Sequence, residues 1–361
     1  MDVDELIEAY DAGLPLERAA TPPSGWYTDP RMYELERERV FFKHWQAVGH
    51  AGQVAAPGSY FTLDLCGEPL VVARDADGKL GAYYNVCRHR GAVVACGEGT
   101  AKSLNCPYHG WVYGLDGRLC GGPPEFEGVE GFVRGENGLT PVRVETFGPF
   151  IFVNLDPAAP PLLESLGDVP AQTAADRLGE RAFAARRVYE VPCNWKVYID
   201  NYLEAYHVPH VHPSLNQVLD YGAYVTEPLG PRVLQTTPTR AAAADAPSAF
   251  STYAPAGSRT AYWWVFPGFL LNVYANSMSG NYIRPLGPDR TLCVFDFFFA
   301  RPDGVAASIA ASHQVQLEDM KICEAVQTGL RSRSYRTGRY SVARENGLRH
   351  FHVLLAKALK S

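Results

Sequence analysis

Cys87-Arg88-His89 and, sixteen residues further on, Cys106-Pro107-Tyr108-His109-Gly110-Trp111 carry the decisive pattern of this 361-residue chain. Each short segment offers one thiolate and one imidazole. Two thiolates and two imidazoles suit a zinc ion, or a two-iron cluster with cysteines on one iron and histidines on the other. Structural zinc sites usually pair like ligands in neighbouring positions, whereas each segment here mixes the two kinds. Mixing suits the binuclear cluster, and nitrogen ligands raise its potential relative to four thiolates. Four unrelated core residues are the remaining alternative. Cys66, Cys96, Cys120, Cys193, Cys293 and Cys323 lack paired spacing and read as small apolar side chains.

Outward from this motif the texture is that of short strands. Tyr60-Phe61-Thr62-Leu63, Leu70-Val71-Val72-Ala73 and Phe150-Ile151-Phe152-Val153 are apolar runs, and Asp77-Gly78 and Asp116-Gly117 are hairpin signals. The expectation is a small all-β domain over 46–155. Residues 1–45 read as helical, with Met32, Leu35, Val40 and Phe42 recurring after Asp29-Pro30. Residues 156–185 are rich in Pro, Ala, Leu and charge and read as a connection. From 186 onward the pattern predicts an α+β domain: a helix over about 194–208, strands between 223 and 300, and a helix over about 306–331. Ala241–Ala249 is a run of small residues that reads as a loop. The division is therefore 1–45, 46–155 and 156–361.

A second constellation lies in the last of these. In Asn194-Trp-Lys-Val-Tyr-Ile-Asp-Asn-Tyr-Leu-Glu204-Ala-Tyr-His207-Val-Pro-His210-Val-His212-Pro213, Glu204 and His207 are three apart and are expected on one helix face. Pro209 should bend the chain so that His212 reaches the same point. Two neutral histidines and a carboxylate on one face of Fe(II) leave positions open for O₂ and substrate. A Tyr/His-rich packed helix is the plain alternative. In Gln316-Leu-Glu318-Asp319-Met-Lys-Ile-Cys-Glu324 three carboxylates compete for the third ligand position.

Together these motifs resemble the large (alpha) subunit of Rieske non-heme iron oxygenases. The resemblance implies a small Rieske domain inserted into a larger α+β, helix-grip-like catalytic domain with an antiparallel sheet. It implies a [2Fe–2S] cluster on Cys87, His89, Cys106 and His109, and a mononuclear Fe(II) on His207, His212 and Asp319, with His210 off the metal. It gives Glu204, where many relatives carry Asp, the role of linking His207 to His109 of a neighbouring subunit, hence a homotrimer. Asp200 and Asn201, one turn back, support the site or are ordinary polar helix residues; Asn201 is grouped with Glu204. Thr21–Pro30, Val40–Gly49, Cys106–Gly117, Cys323–Leu330 and His350-Phe351-His352 are similar to the choline monooxygenase subgroup, which oxidises small quaternary ammonium compounds. Such a cation, lacking N–H donors, is held by aromatic faces. Candidates are Tyr202, Tyr206, Tyr262, Trp263, Trp264, Phe266, Tyr274, Phe295, Phe297, Phe298 and Phe299, all equally at home in core strands.

The implied reaction is mono-oxygenation or N-demethylation with O₂. An aromatic-ring dioxygenase alpha subunit and a non-catalytic electron carrier are the alternatives. No Gly-x-Gly-x-x-Gly precedes a helix, so NAD(P)H enters only through a separate flavin or ferredoxin-type reductase. Arg331, Arg333, Arg336, Arg339, Arg344 and Arg349 are a docking face for it, or simply solvated. A net charge of −6 gives no footprint for nucleic acid. The most apolar stretch, 261–275, is broken by Pro267 and Asn272, which argues against a membrane span. The acidic opening Asp2, Asp4, Glu5 and Glu8 lacks a targeting signature, so a cytoplasmic location is expected.

Overall fold

The computed structural model describes residues 2–122, 128–240 and 257–360. The Ala241–Ala249 stretch lies outside them. The chain forms two compact units, 43–162 and 1–42 together with 163–361.

The first unit is built from ten strands: β1 (Gln46–His50), β2 (Ser59–Leu65), β3 (Glu68–Arg74), β4 (Leu80–Tyr84), β5 (Glu98–Thr100), β6 (Leu104–Asn105), β7 (Val112–Tyr113), β8 (Leu119–Gly121), β9 (Pro141–Phe147) and β10 (Phe150–Asn154). Seven of them form a sheet in the order β1-β10-β9-β4-β3-β2-β5, and β6-β7-β8 form a second. Both hairpin signals lie at turns, joining β3 to β4 and β7 to β8. Their glycines, Gly78 and Gly117, have φ of 79° and 80°. A side chain at Gly117 would also collide with the Tyr83 ring, 2.4 Å from the position of a Cβ, so both conformation and space demand glycine there.

The larger unit is an antiparallel sheet in the order β11-β17-β16-β15-β14-β13-β12. Its strands are β11 (Ala182–Val191), β12 (Val225–Pro228), β13 (Arg232–Pro238), β14 (Arg259–Val265), β15 (Phe269–Val273), β16 (Ser277–Gly287) and β17 (Arg290–Phe299). The interior strand β16 is buried from Ser277 to Pro285 without alternation, as expected of a strand covered on both faces. The helices of this unit include Trp195–Tyr202, Val305–Leu330 and Asn346–Lys360.

Two expectations change. Residues 1–45 are helical only over Val3–Glu8, Gly25–Thr28 and Pro30–Glu36, with a π-helical turn Arg37–Phe41. Pro15, Pro22 and Pro23 withhold donors from a helical ladder between them. This segment packs into the larger unit through Glu36, whose carboxylate takes Lys196 Nζ at 2.5 Å and Trp195 Nε1 at 2.7 Å, all three side chains buried. The helix expected over 194–208 stops at Tyr202. Its start is as predicted: Asn194 caps it, the side chain accepting from Lys196 N–H at 3.0 Å.

Candidate active site

In the first unit, two tight turns present the Cys-His pairs. Gly91 N–H donates to Cys87 O at 2.9 Å and Gly110 N–H to Cys106 O at 3.1 Å. Both glycines have positive φ, 73° and 71°, which a side chain would disfavour. The two loops therefore have the same shape. Cys87 and Cys106 are buried in one core cluster with Trp111 and Tyr113. The His89 and His109 rings lie 4.5 Å apart, centroid to centroid, and His89 stacks on Trp111. His109 Nδ1 is buried with no hydrogen-bond partner, which suits a ring nitrogen reserved for a metal. Two buried thiols and two adjoining imidazoles fit the donor set of a Rieske cluster. One contributor was not anticipated from the sequence. Tyr113 accepts from Arg88 N–H at 3.0 Å and donates to Cys87 Sγ at 3.2 Å. Burial and that bond push its pKa up, so it remains a donor.

In the larger unit, Glu204 and His207 lie in the turn after Leu203, not on one continuous helix. Glu204 reaches its partner differently: Oε2 accepts His207 N–H at 3.0 Å, and Oε1 lies 2.5 Å from His207 Nδ1. Short helices follow at Val208–Val211 and Pro213–Val218. Pro209 sits in the first turn of the first one, where its missing donor costs nothing. The bend comes instead at His212, which leaves helical conformation (φ −119°, ψ 73°) between the two.

Asp319, the ligand the resemblance implies, comes from the Val305–Leu330 helix. Its Oδ1 lies 3.0 Å from His212 Nε2 and 3.8 Å from His207 Nε2. Ligand atoms of His207, His212 and Asp319 all fall within 4.8 Å of one another. His210 is exposed and outside this group. Asn201 Nδ2 donates to Asp319 Oδ1 at 2.6 Å, so Asn201 is in the site. Glu318, a competitor for the ligand position, has another place: its Oε2 lies 2.7 Å from His212 Nδ1. Both rings thus give Nδ1 to a carboxylate and turn Nε2 inward, an arrangement that fixes the tautomer and orients a metal ligand. Burial pulls the His212 pKa down, and the carboxylates of Asp319 and Glu318 more than reverse it. Two imidazole nitrogens and one carboxylate on one side of a point fit a non-heme ferrous ion.

A cavity of about 140 Å³ opens at these residues. Tyr198, Tyr202, Tyr224, Tyr262, Tyr274, Phe295 and Phe297 supply its aromatic surface. Trp263 and Phe298 alternate to the other face of the sheet. Trp264, Phe266 and Phe299 do not border the cavity, and Tyr206 is exposed. Tyr198, on the Trp195–Tyr202 helix, and Tyr224, just before β12, were not among the candidates.

Residues 44–133 match the Rieske [2Fe-2S] domain, and residues 178–361 match the ring hydroxylating alpha subunit catalytic domain. The chain belongs to the Rieske ring-hydroxylating oxygenases. As in that family, a [2Fe–2S] cluster, a mononuclear non-heme iron and reductase-supplied electrons serve an O₂-dependent mono-oxygenation. This Rieske oxygenase is 37% identical to choline monooxygenase of Arabidopsis thaliana, covering 99% of this chain and 87% of that one. It is 35% identical to the carnitine monooxygenase oxygenase subunit of Escherichia coli K12, covering 95% of each. The solved quaternary ammonium Rieske monooxygenase CntA superposes with a TM-score of 0.87 at 30% identity, over 96% of this chain and 98% of that one.

Proposed function

We propose that this Rieske oxygenase hydroxylates or N-demethylates a small quaternary ammonium compound. The observation that carries the reading is the cavity beside His207, His212 and Asp319. It is walled by tyrosine and phenylalanine rings, and among the described residues its only acidic side chains are Glu204 and Asp319. Aromatic faces attract a cation that has no N–H to donate. The volume is below the roughly 300–1,000 Å³ typical of drug-sized sites, which favours a small substrate. CntA has been solved with γ-butyrobetaine and with L-carnitine as substrates, and the curated relatives are choline and carnitine monooxygenases.

The chain's own residues prepare the site. Glu204 and Glu318 hold the His207 and His212 rings so that Nε2 faces inward, and Asn201 holds Asp319. When bound there, ferrous iron supplies O₂ activation, with electrons arriving singly through the Rieske cluster. The aromatic rings lining the cavity help to exclude water from it. We take Glu204 also to link His207 with the cluster of a neighbouring subunit in a homotrimer. Inter-subunit electron transfer is described for CntA, and Tyr206, beside Glu204, is exposed. Light scattering tests the trimer. Of the arginines considered for reductase docking, Arg331, Arg333, Arg336 and Arg339 are exposed. Arg349 is not part of that face, being buried and bonded to Ala12 O and Leu14 O.

The test is NADH and O₂ consumption with a matched reductase across choline, glycine betaine, carnitine, proline betaine and simple aromatics, with products identified by mass spectrometry. Attack at the carbinol carbon of choline gives an aldehyde hydrate. Attack at an N-methyl gives a hemiaminal that releases formaldehyde. Turnover of aromatics alone would overturn the reading.

A further inference from the structure

The wall of the cavity opposite the helices is one face of the large sheet. Gln235, Tyr262, Asn272, Ser279 and Phe297 are register partners across five adjacent strands, so they form a single row. Asn281 lies two residues along β16 and therefore on the same face. Five of these six side chains carry a neutral amide or hydroxyl capable of compact polar contact, and no lysine or arginine lines the cavity among the described residues. Two arginines reach residues of the lining through backbone: Arg181 donates to Tyr274 O at 3.1 Å and Arg344 to Tyr224 O at 3.4 Å.

Three buried atoms in this row of described residues have no protein partner: Gln235 Oε1, Asn281 Oδ1 and the Tyr262 hydroxyl. Gln235 is 1% and Asn281 2% exposed. The orientation of Gln235 is fixed, because its Nε2 donates to Tyr202 O at 2.8 Å. Its free atom is therefore an acceptor. A buried acceptor without a partner is costly, and a ligand that donates to it removes that cost. A carboxylate can accept from the Tyr262 hydroxyl, but it has nothing to donate to Gln235 Oε1. It would also lose its hydration in a cavity where, among the described residues, no lysine or arginine stands ready to pair with it.

We propose that Gln235, together with Asn281, sets the specificity of this cavity for an ammonium substrate whose other end is a neutral hydrogen-bond donor, an alcohol, and against one that ends in a carboxylate. This rests on the quaternary ammonium reading and narrows it. An alcohol O–H donates to Gln235 Oε1 while the methylated nitrogen lies against the rings.

The experiment is anaerobic calorimetry on the metal-loaded full chain without reductase, so that binding is read without turnover. The ligands are choline, ethyltrimethylammonium, which lacks only the hydroxyl, and glycine betaine. They are titrated into the native chain, Gln235→Leu and Asn281→Ala. Choline should bind at least about tenfold more tightly than either other ligand. In Gln235→Leu, choline should fall to the level of ethyltrimethylammonium, whose own affinity stays unchanged. A general structural defect would weaken both ligands together. If a variant does not fold, the ligand series on the native chain decides. Glycine betaine binding as tightly as choline, or equal binding of choline and ethyltrimethylammonium, overturns the proposal and leaves the ammonium reading intact. No binding of any of the three overturns both.

Discussion

Glu318 Oε2 lies 2.7 Å from Nδ1 of His212, whose Nε2 lies 3.0 Å from Oδ1 of Asp319. Two consecutive carboxylates on one helix thus hold opposite nitrogens of a single ring. Glu318→Gln keeps the size of the side chain and removes the negative charge that fixes the tautomer. Iron affinity at this centre should fall roughly 10–100-fold, the usual cost of losing such a partner. Competition with a chelator measures it, and the visible spectrum of the Rieske cluster should not change.

Tyr113 gives its O–H to Cys87 Sγ. A hydrogen bond to a cluster thiolate stabilises the reduced, more negative state and raises the potential. Tyr113→Phe should lower the midpoint potential on the order of 60 mV, the equivalent of about 1.4 kcal/mol for one electron. Spectroelectrochemistry reads this directly, and an unchanged potential would remove Tyr113 from the account.

Lys196 and Glu36 form a fully buried ion pair. Lys196→Met strands the Glu36 carboxylate and should cost about 3–5 kcal/mol of stability. The double change Lys196→Met with Glu36→Leu should recover much of that loss, because no buried charge is then left unpaired. Denaturant titration of the three variants checks it.

Burial, with Asp116 and Asp75 nearby, pushes the Tyr83 hydroxyl from 10.0 up to about 12. The folded state then holds this proton more tightly than the unfolded one. Its contribution to stability is complete below pH 10 and is lost as pH rises through about 12. Tyr83→Phe should flatten that alkaline decline relative to the native chain. Unfolding curves collected on both sides of pH 10 provide the comparison.

Much of this architecture could be read from residue order because its signals are local. The Cys-His spacing needs only two turns, and Gly91 and Gly110 mark them. His207 and His212 are close in sequence, so one bend joins them. The expected cause of that bend was wrong: Pro209 fits inside a helical turn, and His212 itself breaks the path. Glu318 and Asp319 could not be given their separate tasks from spacing, since both face the same end of the site and only the ring of His212 distinguishes them. The aromatic walls were legible only in part. Strand alternation sends Tyr262 and Trp263 to opposite faces, but which face meets the cavity depends on the helices packed there. Tyr224 lies just before β12, outside any periodic run.

The most direct test of the two-centre account is iron and acid-labile sulfide analysis of anaerobically purified chain, native and Asp319→Ala. The account predicts about three irons and two sulfides per native chain. It predicts the loss of about one iron in the variant, with sulfide and the cluster spectrum retained. Zinc in place of sulfide and iron, or an iron content that Asp319→Ala leaves unchanged, would contradict it.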